Sequence, residues 1–463
     1  MAVFFTVGEQ KVRPGVYQRY ENHGGIRTAG AMNGYGAVIF KGNWGPLGEV
    51  ITFDKSSQVA NMLGSGGEGG TVDAITNMFE GGASVVYAVR LGAEGEKGKL
   101  TLSGVDVIAK YEGSRALNVA VKSVLGDDGV KQLKVYEGTT LLESVEFAKT
   151  AAALLEAKSS YLDFSAGEGY DAATEVAVVE ATALEGGADP ESITVDAYSK
   201  AMELLEGYDF NVIVTDSEST EVHAVLNSYV KRVHQDGKMV FGVVAEPTSV
   251  DFDTRKSHAA AFNTEGFVYV GDAFKNASGV AMDGYRVGAL LAGIIASVPA
   301  NQSITHYVIS GAVELVEKKK NSEYVAATNS GMITFSMSPA GQVWVESGIT
   351  TLVTPDQTQD DGWKKVKRTK IRYELMTRVD QTIAPKIGKI NNNADGRAEI
   401  IIAVNELLKK MVNEEKLLDG AYCEVDPDNA PEGDSSWFVI YADDVDSLEK
   451  VYFVYKFRFS PNV

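Results

Sequence analysis

The stretch GSGGEG at residues 64–69 has the G-x-G-x-x-G spacing that lets backbone amides close around a pyrophosphate. That chemistry needs a strand before the glycines and a helix after them, so that the phosphate meets a helix N-terminus. Here the preceding octet, SSQVANML (56–63), has helical periodicity. The stretch therefore reads as a flexible loop between helices. No G-x-x-x-x-G-K-[ST] phosphate loop and no G-x-S-x-G nucleophile elbow occur. His23, His223, His234, His258 and His306 are scattered, with no H-E-x-x-H pair, and the chain has one cysteine, Cys423. A zinc site would need three or four converging ligands, which no short spacing supplies. TPDQTQDDG (354–362) lacks the Asp-x-Asp-x-Asp-Gly order and the closing Glu of a calcium loop, and reads as a solvated linker. No catalytic, cofactor-binding or metal-ligating residue is assigned, and no cofactor is expected.

Two other patterns can act through association. Residues 362–383, GWKKVKRTKIRYELMTRVDQTI, carry Lys364, Lys365, Lys367, Arg368, Lys370 and Arg372, and Arg378, Lys386, Lys389 and Arg397 extend the basic tract. Such a run is either a solvated helix face or a dock for an acidic partner. The chain closes on EKVYFVYKFRFSPNV (449–463), in which Val451, Phe453, Tyr455, Phe457 and Phe459 alternate with Tyr452, Val454, Lys456 and Arg458. Period-two alternation marks a strand with one apolar face. An open apolar strand templates pairing with another chain. Either it folds into its own sheet or such pairing is its role.

The elements that must position these patterns follow from composition and periodicity. A chain of 463 residues with 44% hydrophobic and 23% charged residues is ordinary globular material for several domains. The formal charge of −20 argues against nucleic acid as a partner. One cysteine excludes an internal disulfide framework and fits a reducing cytoplasm. MAVFFTVGEQ lacks the basic and apolar regions of a signal peptide. The apolar run VGALLAGIIASV (287–298) is shorter than the roughly 20 residues that span a bilayer, so it reads as a buried helix and no membrane partner is expected.

Residues 1–22 read as an arm, AVFFTV and GVYQRY being split by the turn at Pro14 and Gly15. Residues 23–96 and 186–355 read as α/β: near-continuous apolar strands such as GAVIF (36–40), NVIVTD (211–216) and KMVFGVVA (238–245) alternate with amphipathic helices, the signature of a helix-covered parallel sheet. Between them, 97–185 carries short strands at about ten-residue spacing, a β-rich sandwich or barrel inserted in the α/β core. EFAKTAAALLEAK (146–158) breaks that pattern as a helix candidate, and 330–353 reads as a hairpin. Residues 356–449 read as an α+β unit with helices over 362–383 and about 395–418, the first stopping before Pro385. Strands follow at 421–426 and 435–442, and the last strand is 450–463.

Taken in order, KVRPGVYQRYEN (11–22), GAVIFKGNWGPLGEV (36–50), YRVGALLAGIIASVPANQSITH (285–306) and GRAEIIIAVNELLKKMVNEEKLLDG (396–420) make the chain resemble contractile tail sheath proteins of myophages, PBSX-like prophages and R-type bacteriocins. The resemblance implies a structural, non-enzymatic subunit of a phage tail or tail-like particle, assembled in the bacterial cytoplasm. It implies helical self-assembly, in stacked hexameric rings, around an inner tube protein, with baseplate and tail terminator proteins as further partners. It also implies strand exchange. Donor strands would carry Val3, Phe4, Phe5 and Val7 at one end and Val451, Phe453, Tyr455, Phe457 and Phe459 at the other. Acceptor strands would carry Tyr422, Glu424, Trp437, Val439 and Tyr441. Hinges would lie at Pro14, Gly15 and Ser447. The tube would meet one of the C-terminal helices, with Lys364, Lys365, Arg368, Arg372, Lys386, Lys389 and Arg397 as contact candidates. Two other classes remain in competition: an α/β enzyme binding a dinucleotide at 64–69, and a β-rich adhesion or glycan-binding module at 97–170.

Overall fold

Strands that are apolar at every position cannot lie on a one-sided sheet, and the central strands of this chain are buried on both faces. The structure, a computed structural model, describes residues 3–4, 17–18, 33–92, 94–190, 193–357 and 359–458. Its main sheet has seven strands in the order Met332–Ile333, Phe267–Val270, Phe241–Ala245, Val212–Thr215, Tyr35–Phe40, Val85–Arg90 and Val50–Phe53. All neighbours are parallel except the last pair, where Val50–Phe53 runs antiparallel at the edge. Successive residues point to opposite layers. Val38 and Phe40 enter one core with Val214, Val243 and Val270. Ala37 and Ile39 enter the other with Ile213, Val244 and Tyr269.

The apolar run at 287–298 is the helix Tyr285–Ser297, in which every residue from Val287 to Ala296 is buried. It is apolar all round because it lies between the sheet and the helix Asp73–Glu80. The two helices touch backbone to backbone. A Cβ on Gly293 would strike the Met78 carbonyl, and one on Gly81 the Leu290 carbonyl. Arg286 and Tyr285 close the crossing by binding Asp73 at 2.6 and 2.9 Å. The glycine-rich stretch 64–69 joins the helices Ser56–Leu63 and Asp73–Glu80, so no strand leads into it.

Between Lys99 and Ala183 the chain forms two antiparallel sheets. One orders Thr140–Ala148, Asp127–Glu137, Leu117–Val124 and Val179–Ala183; the other orders Leu162–Ala166, Val105–Ala109 and Lys99–Leu102. They enclose a separate core that includes Val107, Val119, Leu133 and Val135. Trp44, from the loop after the first core strand, is buried in it, and Arg90 ties the junction by donating to the carbonyls of Gly42, Gly45 and Glu112. The helix expected over 146–158 is corrected. Phe147 is a buried strand residue facing the sandwich core, and only Ala151–Leu155 is helical.

In the C-terminal part the first helix is Val366–Ile383, preceded by the short turn Asp361–Lys364; the second is Ala394–Asn413, shorter than expected from 395–418. The hairpin read at 330–353 is smaller too: Met332–Ile333 belongs to the main sheet, and Phe335–Met337 pairs with Val343–Val345. Gly293→Val should be destabilising by about 3 kcal/mol, because a branched side chain forces the two helices apart. Urea unfolding would show it as a lowered midpoint, and a wild-type midpoint would refute the backbone contact.

Candidate assembly interface

The basic helix Val366–Ile383 is not a solvated face. Val366, Lys367, Thr369, Lys370, Ile371, Tyr373, Glu374 and Arg378 are all buried, and Arg368, Lys370, Arg372 and Arg378 meet carboxylates or carbonyls of the chain itself. Lys370 Nζ donates to the carbonyls of Ile295 (2.5 Å) and Val298, at the C-terminal end of the buried helix Tyr285–Ser297. A cation belongs there, where unpaired carbonyls and the helix dipole concentrate negative potential. Burial nonetheless pulls the Lys370 ammonium down from its usual range to about 7, against the pull of Glu374. Farther along, Arg378 and Lys416 share the buried carboxylate of Glu374, at 2.6 and 2.5 Å, and both also reach Glu414.

The N-terminal half of the same helix binds the segment leading into the C-terminal tail. Arg368 grips Asp444 with two bonds (2.5 and 2.9 Å), and Arg372 spans Asp444 and Asp360. Lys365 holds Asp446 at 2.9 Å and Glu449 at 3.0 Å, and Glu449 also accepts from Thr305 at 3.1 Å. Burial alone would raise the Asp444 carboxyl, but the two arginines hold it below the ordinary carboxylate range. Ser447 therefore lies between two anchored carboxylates. Sequence reading missed this acidic partner, whose signal is the cluster of carboxylates Asp443, Asp444, Asp446 and Glu449 in ADDVDSLEK (442–450).

The remaining tube candidates are also engaged. Lys364 pairs with Asp361 (2.9 Å), Lys386 with Glu399 (2.8 Å), Lys389 donates to the Pro385 carbonyl (2.7 Å), and Arg397 to Asn392 (3.1 Å). The helix Ala394–Asn413 carries the open face. Glu406, Lys409 and Lys410 are exposed there with Ile402, which is 59% exposed.

The acceptor candidates lie on a two-stranded antiparallel sheet, Tyr422–Val425 with Phe438–Tyr441. Cys423 is buried against the helices, while Tyr422 and Tyr441 pair on the outer side with rings 4.8 Å apart. Glu424 lies opposite Val439. Trp437 falls one residue before its strand, and its carbonyl accepts from the Asp426 amide at 2.9 Å. Among the described residues no third strand pairs with either edge of this sheet, and on the Tyr422–Val425 side the Cys423 amide donates to Asn405 at 2.8 Å. Beside Phe438–Tyr441 runs a groove of about 850 Å³ walled by Leu375, Met376, Ile383, Ile400, Phe438 and Ile440.

Residues 451–458 form no strand and, among the described residues, make no hydrogen bond. Phe453, Tyr455 and Phe457 are 75, 76 and 95% exposed, and Val451 is 55% exposed. Their conformation is already extended: the rings of Phe453, Tyr455 and Phe457 follow each other at 6.4 Å, the repeat of alternate residues on one strand face. At the other end Val3–Phe4 pairs in parallel with Tyr17–Gln18. Phe5, Val7, Pro14, Gly15 and Phe459 lie outside the described residues.

The region thus combines a two-stranded sheet, an apolar groove and an exposed apolar tail. Comparison with known proteins gives the class. The phage tail sheath protein central domain matches residues 191–351, and the phage tail sheath C-terminal domain matches 358–458. The chain belongs to the phage tail sheath family and is a structural subunit of a contractile tail sheath. It is 24% identical over 370 residues to the phage-like element PBSX protein XkdK of Bacillus subtilis (strain 168), spanning 76% of this chain and 75% of that one. Its fold matches the sheath tail protein of Desulfitobacterium hafniense (20% identity, TM-score 0.73, 93% of this chain and 100% of that one). It also matches the helical sheath of the anti-feeding prophage in its contracted state (10% identity, TM-score 0.57, 97% and 99%).

The Lys370 site carries a pH prediction. Its folded value lies below that of a free lysine, so the unfolded chain binds more protons above about pH 7. Stability therefore rises as pH increases from about 7 toward 9, and Lys370→Met flattens that rise. Urea midpoints of the two proteins across this window test it, and parallel slopes would sink the assignment.

Proposed function

We propose that this chain polymerises into a helical sheath by lending its terminal strands to the C-terminal sheets of other copies. The observation that carries this is the unpartnered tail, already extended with its aromatics on one face, together with the free edge and apolar groove beside Phe438–Tyr441. Strand addition draws affinity from main-chain bonds and register from alternate side chains. Burying the five apolar residues of the tail contributes about 8–15 kcal/mol. Ordering nine residues costs roughly 1–2 kcal/mol each. A single joint is thus near balance, and repeated head-to-tail joints that do not close make a stable filament. The N-terminal arm, carrying Val3, Phe4, Phe5 and Val7, would serve as the second donor.

The tube-facing helix in this reading is Ala394–Asn413, whose Ile402, Glu406, Lys409 and Lys410 are free, rather than the internally neutralised Val366–Ile383. The partners are an inner tube protein and the baseplate and terminator proteins at its ends, within a tail particle built in the host cytoplasm. Contraction is a shift between two packings of one chain, with energy stored at assembly. The dinucleotide and glycan readings have no comparable support: the glycine-rich loop follows a helix.

A chain ending at Glu449 should stay folded and monomeric while the full chain forms tubes in negative-stain electron micrographs. Tubes from the shortened chain would end the strand-donation reading. Lys409→Glu with Lys410→Glu should still form sheath-like polymers but lose binding to purified inner tubes in a co-sedimentation assay.

A further inference from the structure

We propose that the ionic lattice at the root of the C-terminal tail is a latch that keeps the tail from closing on its own sheet, reserving that sheet for another copy of the chain. The inference rests on the strand-donation reading and concerns its regulation.

After the strand Phe438–Tyr441 the chain does not turn back. The Asp443 carbonyl accepts from the Leu418 amide at 2.8 Å, and the Val445 amide donates to Lys416 at 3.0 Å. Asp444 is then fixed by Arg368 and Arg372, and Asp446 and Glu449 by Lys365. Glu449 is fixed a second time by Ser303 and Thr305, outside the C-terminal unit. Lys450 is the first residue beyond the lattice.

This root lies at the wrong end of the basic helix for self-closure. Lys365 immediately precedes the helix, and the groove begins at Leu375. Ten residues at 1.5 Å each place them about 15 Å apart. A returning tail would use about four or five residues, at 3.3 Å each, before its first pairing, so Val451 and Phe453 would miss the groove. With Asp446 and Glu449 released, residues 446–449 become a free segment, while Asp444 stays on Arg368 and Arg372, one helical turn from Leu375. Val451–Arg458 could then lie back along Phe438–Tyr441 as a hairpin.

Mass action shows why a latch is needed. A strand tethered by a short loop has an effective concentration near the millimolar range, above that of separate subunits in solution. Without a restraint the chain would cap itself and stop assembling. The two-pronged Arg368–Asp444 pair fixes the inner end of that segment, because the Asp444 side chain is 6% exposed and such a fork holds direction as well as distance, and Lys365 fixes the outer end.

The test uses the full chain and compares wild type with Asp446→Asn plus Glu449→Gln, which leaves Asp444 and both arginines in place. Tube yield is read by sedimentation and electron microscopy, and hydrogen exchange of 451–458 is read in the soluble monomer. We expect the variant to lose tubes while its tail amides become at least ~10-fold better protected than in wild-type monomer. Lys365→Glu alone should lose tubes in the same way, and adding Asp446→Lys, which re-forms the pair with reversed charges, should restore tubes and unprotected tails. Wild-type assembly by the first variant overturns the latch. So does loss of tubes without protection of 451–458, since the tail has then not closed. Tubes from a chain ending at Glu449 would instead defeat strand donation itself, a separate outcome.

Discussion

The structure depends on one helix whose charges are neutralised from three directions. Lys370 ties Val366–Ile383 to the end of the buried core helix, Glu374 and Arg378 tie it to Lys416 and Glu414, and Lys365, Arg368 and Arg372 hold the segment that precedes the tail. Remove the helix and the core, the two-stranded C-terminal sheet and the tail lose their common reference. Buried ion pairs of this kind add little net stability, because desolvation offsets most of their attraction. What they supply is geometry: an arginine pair with two bonds tolerates one direction of approach.

That geometry explains how a chain can carry an unfinished sheet safely. A two-stranded sheet is marginal alone and its open edge is a hazard. Here Cys423 and Ile440 lean on the long helices, so the sheet is held although among the described residues no third strand completes it. The tail is an equal hazard, yet Lys456 and Arg458 alternate with its aromatic face and oppose random stacking.

The seven-stranded sheet looks like a nucleotide-binding scaffold, and its carboxyl ends show why fold alone does not name a function. Asp216 and Glu246 directly follow two neighbouring parallel strands, and Asp272 follows a third by one intervening glycine. Each is held inside the chain: Asp216 by Thr71 and Tyr198, Glu246 by His258, Asp272 by Lys319. The crevice in which such folds bind ligands is here closed by its own side chains.

Much of this was legible in the sequence. Near-continuous apolar runs defined the core strands and the all-apolar run at 287–298 defined a buried helix, because side-chain periodicity is set locally by the backbone. The alternation of 451–459 pointed to a strand that residues 451–458 do not form within this chain. The helix expected over 146–158 failed because the sandwich core claimed Phe147 for a strand. The basic run at 364–372 could not be assigned from the sequence, since charge alone does not say whether a lysine meets water, another protein or its own chain. Only the tertiary structure brought Asp444, Asp446 and Glu449 onto that run from some 75 to 85 residues away. Periodicity is a local property and was determined by the sequence. Charge pairing is a long-range property, and it exists only once the fold has chosen which faces meet.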